Sequence, residues 1–128
     1  RYNANVHYYQ MDELVRLLRS RMPETPVLLT TPPGSYESFR RRRRRRTYSV
    51  NPRTVTAVNA IRNYGKDRNL AVWDMYNVVG GKEHACTNWW KSGLMRTDHI
   101  HYMADGYVLQ GGLLVEALIN TYNGYVSD

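Results

Sequence analysis

The stretch Val27-Leu28-Leu29-Thr30-Thr31-Pro32-Pro33-Gly34 decides the fold class. Its first five residues are uncharged, β-branched at both ends and follow Pro26. Such a run reads as a strand buried on both faces, as in a parallel sheet. Pro32-Pro33-Gly34 then ends it sharply.

Upstream, Val6, Tyr9, Leu14, Leu17, Leu18 and Met22 recur near helical spacing. Arg16 stands three and four residues after Glu13 and Asp12, which supports a helix with a solvated face. Pro23 stops it. Downstream, Pro52 is placed to open a second helix that runs to about Tyr64, with Val55, Val58 and Ile61 inside and Gly65 at its end. A second strand is expected over Leu70 to Met75, broken by Gly80-Gly81. A mixed region around Trp89-Trp90 follows, then a last helix from about Asp105 to Tyr122. Leu109, Leu113, Leu114, Ala117 and Leu118 give that helix its apolar face. The order helix, strand, helix, strand, helix predicts an α/β three-layer domain with a parallel sheet. Two strands cannot cover their own edges, so the sheet is expected to be completed by residues before Arg1 or by a partner chain.

The 128 residues suit a single domain, and a hydrophobic fraction of 42% is enough for a packed core. Eleven Tyr stand against one Phe, so many rings must pair an apolar body with a polar tip. The net charge of +7 is concentrated, because seven of the 18 Lys and Arg form the run Arg40 to Arg46. Without them 11 basic residues face 11 acidic ones. A nucleic-acid-binding domain spreads its basic groups and interleaves aromatics, so nucleic acid is not the expected partner. The run lies in a polar segment from Ser35 to Asn51, expected to be a loop insertion. A solvated, self-repelling loop is its plainest reading; a clamp for an anionic polymer or lipid surface, and an altered sequence segment, are the others.

One cysteine, Cys86, excludes an internal disulfide and a multi-Cys zinc site. No apolar stretch approaches the ~20 residues of a membrane span. The chain opens on Arg1 and not on Met, which reads as a processed, truncated or partial chain and leaves export open.

Open α/β sheets place their sites in the loops at the C-terminal ends of strands. The loops after Thr31 and Met75, and Arg96-Thr97-Asp98-His99-Ile100-His101-Tyr102 before the last helix, are the places to look. At a spacing of three, a turn can direct the Asp98 carboxylate to the Nδ1–H of His101. The other ring nitrogen, Nε2, is then free to take a proton from a hydroxyl. On spacing alone the pair can equally be a loop contact that caps the final helix.

The block Asp98-His99-Ile100-His101-Tyr102-Met103-Ala104-Asp105-Gly106-Tyr107 resembles the last motif of the GDSL/SGNH hydrolases, usually Asp-Gly-x-His-Pro-x-x-x-Gly-Tyr. The segments Val27 to Pro33 and Leu70 to Asp74 resemble the last two core strands of that family. The likeness covers most of the chain outside Ser35 to Asn51. It implies a flavodoxin-like α/β/α domain of which residues 1–128 form the C-terminal part. It also implies a serine esterase acting on acyl or acetyl esters, with carbohydrate esters among the candidate substrates, needing no metal or organic cofactor. Asp98 takes the position of the orienting acid and His101 that of the general base. The family's Gly-Asp-Ser nucleophile motif and its Gly-x-Asn-Asp oxyanion block do not occur here, so the serine is expected outside this chain. His99 departs from the common Gly. Family habit points to a periplasmic or secreted location.

Other residues compete. Ser35 follows a strand but lacks the Gly-x-Ser-x-Gly elbow. Cys86 has only His84 near it in sequence. Glu83-His84 reads as an ordinary loop, His7 as helix surface, and Trp89-Trp90 as core or groove walls. A His99–His101 metal pair lacks an evident third ligand. The alternative to an enzyme is a binding module whose arginine loop grips an anionic partner.

Overall fold

The computed structural model describes residues 2–40, 42 and 45–127. Of the arginine run, Arg41, Arg43 and Arg44 lie outside the described residues.

The chain is a mixed α/β fold with a small parallel sheet and several helices. Helix α1 spans Ala4–Arg21 and is capped by Asn3, whose side chain accepts from the backbone N–H groups of Asn5 and Val6. Strand β1, Leu28–Thr30, pairs in parallel with β4, Ala71–Trp73, in the register Leu28 to Ala71, Leu29 to Val72 and Thr30 to Trp73. Between them lie strands β2, Tyr36–Phe39, and β3, Thr47–Val50, and helix α2, Arg53–Asp67. The short α3, Met75–Val78, and then α4, Gly81–Lys91, lead to the last helix, α5, Ala104–Ser127.

Several expectations are corrected. The segment from Ser35 to Asn51 is not a plain loop: β2 and β3 form an antiparallel hairpin, with Tyr36 opposite Val50 and Phe39 opposite Thr47. Tyr36, Tyr48 and Val50 supply β-favouring side chains on both sides of the arginines, and that local signal outweighs the charge between them. Gly65 does not end α2. It lies buried within the helix, where an added Cβ would collide with Val72 Cγ2 and lie 3.3 Å from Leu70 O. The absence of a side chain is what lets α2 lie flat on the sheet. The region around Trp89, including Glu83 and His84, is helix α4 and not loop.

Strand β1 is not buried on both faces either. Leu29 and Val72 turn toward α2, whereas Leu28, Thr30 and Ala71 on the opposite face are exposed. Helix α1 packs on α2 through Val15, and through Asp12, which meets Tyr64 and Arg68. Its Val6, Tyr9, Leu14, Leu17, Leu18 and Met22 stay exposed. Helix α5 buries only Gly106, and Leu109 and Leu118 of its apolar face are exposed. No helix among the described residues is long and apolar enough to cross a membrane.

Two apolar clusters form the core around α4. Val58, Tyr76 and Ala85 make one; Trp89, Met95 and Tyr102 make the other; Val79 touches both. The surplus of Tyr is put to use here: Tyr64 and Tyr102 bury their rings while their hydroxyls reach Asp12 and Gly34 O.

Candidate functional site

The loop between α4 and α5 is a short, self-closed unit. An antiparallel bridge joins Met95 to Tyr102. The Arg96 N–H donates to His101 O at 2.8 Å, and the Met103 N–H to Leu94 O at 2.9 Å. Two anchors fix the loop and the end of α4 to the chain that leaves β1. Tyr102 donates its hydroxyl to Gly34 O at 2.7 Å, and Trp89 donates its indole N–H to Pro33 O at 3.1 Å. The Tyr36 N–H adds a bond to His99 O at 2.9 Å. The loop thus sits beyond the C-terminal end of a parallel strand, the usual place for a site in an open α/β sheet.

Within it Asp98 and His101 meet. Asp98 Oδ1 accepts the backbone N–H groups of Ile100 and His101, each at 2.9 Å, and Oδ2 lies 2.8 Å from His101 Nδ1. The backbone N–H of His101, then its side chain, then the Ile100 N–H hold the Asp98 carboxyl well below the ordinary Asp range. An ionised carboxylate only accepts, so Nδ1 carries the proton in this contact, and it is in the neutral imidazole that Nε2 presents a lone pair. The His101 side chain is 63% exposed, and among the described residues nothing bonds Nε2. The pair can therefore take a proton from a group brought to it from outside.

Gly106 explains how close α5 comes to this loop. A Cβ there would stand 2.6 Å from Leu94 O and 3.2 Å from the Tyr102 side chain.

The other candidates are placed apart from the pair. Ser35 is half-buried, its carbonyl accepting from Asn51 N–H and from Cys86 Sγ. Cys86 is buried in the core, and burial pushes its thiol pKa up, which keeps it protonated and unreactive. Among the described residues no Ser, Thr or Cys side chain bonds His101. His84 is exposed on α4, and His7 on α1 bonds Tyr2. No three His, Cys, Asp or Glu side chains are gathered to hold a metal ion among the described residues.

The residues that sequence reasoning missed surround His99. Its φ is +60°, a conformation that side-chain-bearing residues rarely adopt. Tyr48 stacks on one side of its ring at 3.8 Å and 22°, Trp90 stacks at 3.9 Å and 23°, and Tyr36 meets it edge-on at 5.3 Å. Trp89 is core, whereas Trp90 is part of this stack. Three elements separated in sequence supply these rings, so no local spacing announces them.

No protein-family model matches the chain, and no curated protein matches it in sequence.

Proposed function

We propose that the chain carries the acid–base half of a serine ester hydrolase of the GDSL/SGNH type. The observation that carries this reading is the 2.8 Å contact of Asp98 with His101 Nδ1 in a loop beyond a parallel strand, with Nε2 open. Two details add support. The position that is Gly in the family motif has a left-handed backbone at His99, and Gly106 occupies a contact too tight for a Cβ.

In this reading a serine hydroxyl from outside the chain attacks an ester carbonyl while His101 Nε2 takes its proton. The imidazolium, stabilised by Asp98, returns that proton to the departing alcohol. Water, deprotonated by the same nitrogen, then releases the acid and restores the serine. The substrates are acyl or acetyl esters, carbohydrate esters among them. The sheet belongs to a larger three-layer domain, completed by the remainder of that domain or by a partner chain. The open face at Leu28, Thr30 and Ala71, together with the uncovered face of α5, supports that extension.

The test is hydrolysis of p-nitrophenyl acetate by the natural protein containing this chain. His101→Ala should lower kcat by about three orders of magnitude or more. A rate within a few fold of the parent sinks the hydrolase assignment.

A second reading, a module that binds an anionic partner, draws on the exposed Arg40, Arg42, Arg45 and Arg46. They extend from a hairpin that Tyr36 and Tyr48 tie to the Asp98 loop.

A further inference from the structure

We propose that His99 is a positioning residue: clamped between the rings of Tyr48 and Trp90, it fixes the turn that sets Asp98 on His101. The activity readout of this inference rests on the hydrolase reading above; its spectroscopic readout does not.

A left-handed backbone at a residue with a side chain persists only where its surroundings over-determine it. At His99 they do. The stacked rings at 3.8 and 3.9 Å leave its imidazole no room to swing, and Tyr36 closes the edge. The backbone is held on both sides, because the His99 N–H donates to Arg96 O at 2.9 Å and His99 O accepts from the Tyr36 N–H at 2.9 Å. The peptide that follows carries the Ile100 N–H, one of the two that fix Asp98 Oδ1. A change of φ at His99 therefore rotates the donors that orient Asp98, and the carboxylate leaves Nδ1.

The clamp uses the flatness of the ring and not its chemistry. His99 Nδ1 is buried without a hydrogen-bond partner among the described residues. A flat apolar ring should serve as well, and a side chain that cannot stack should not.

The experiment follows the His101 Nδ1–H proton by NMR in the natural protein, alongside kcat and KM on p-nitrophenyl acetate. His99→Phe should keep the hydrogen-bonded proton signal and hold kcat within about threefold. His99→Ala should lose the signal to solvent exchange and lower kcat by about 100-fold with little change in KM, because misplacing a catalytic group by ~1 Å costs about that much. Should His99→Ala fail to fold, Tyr48→Ala removes one face of the clamp and should weaken the signal in the same direction. The proposal is overturned if His99→Ala, or in its place Tyr48→Ala, keeps the proton signal as it stands in the parent, whatever happens to kcat. It is equally overturned if folded His99→Phe loses the signal. A parent protein with no His101-dependent hydrolysis removes the hydrolase reading alone, since the proton signal still decides the role of His99.

Discussion

Asp98 grips His101 twice, taking its backbone N–H on Oδ1 and facing its Nδ1 from Oδ2 at 2.8 Å. One side chain thus sets both the path of the turn and the orientation of the imidazole.

That double grip predicts how the pair responds to acid. The carboxyl of Asp98 is held well below its ordinary value, chiefly by the His101 backbone N–H. A lowered folded-state pKa contributes stability above the unfolded value of about 3.9, and the contribution is lost only as pH falls through the lower folded value. The carboxyl carbon of Asp98 should therefore show no NMR titration step of its own near the unfolded value of about 3.9. A step near the unfolded value means the grip is absent in solution.

Gly65 separates two opposite expectations. On an open helix surface, Gly→Ala stabilises by roughly 0.5–1 kcal/mol. Here a methyl group would drive into Val72, so Gly65→Ala should destabilise by about 1–3 kcal/mol through overpacking. Urea unfolding of parent and variant decides the sign.

Cys86 should be inert in the native protein. Its thiol is buried and its pKa raised, so at pH 8 it stays protonated and screened. Labelling by iodoacetamide should be negligible until denaturant is added. Rapid stoichiometric labelling of the folded protein contradicts the packing of α4.

If the hairpin arginines meet a polyanion, replacing Arg40, Arg42, Arg45 and Arg46 by Gln should weaken heparin binding. The salt dependence of that binding should then flatten by roughly one unit of slope per arginine removed. An unchanged slope leaves these residues as solvated surface.

How much of this was legible in the sequence depends on the distance over which each signal acts. Asp98 and His101 are three residues apart, and Leu28–Thr30 and Ala71–Trp73 are short runs bounded by breakers. Local reading finds such features. Gly65 reads locally as a stop because the reason for it, Val72, lies on another element. The hairpin was hidden by its arginines, since β2 and β3 declare themselves only when paired. The clamp on His99 draws Tyr48 from β3 and Trp90 from α4, and no periodicity encodes such a meeting. The exposed stripe of α1 shows a further limit: periodicity revealed the helix, but the contact with α2 uses Asp12 and Val15 instead.

The shortness of the turn that joins the carboxylate to the imidazole has a consequence for assembly. Closing so small a loop costs little chain entropy, so the aim of this pair depends on the docking of Tyr48 and Trp90 onto His99 and not on closing its own turn. The long-range step, bringing the β2–β3 hairpin against α4, therefore carries the conformational cost of aiming the imidazole.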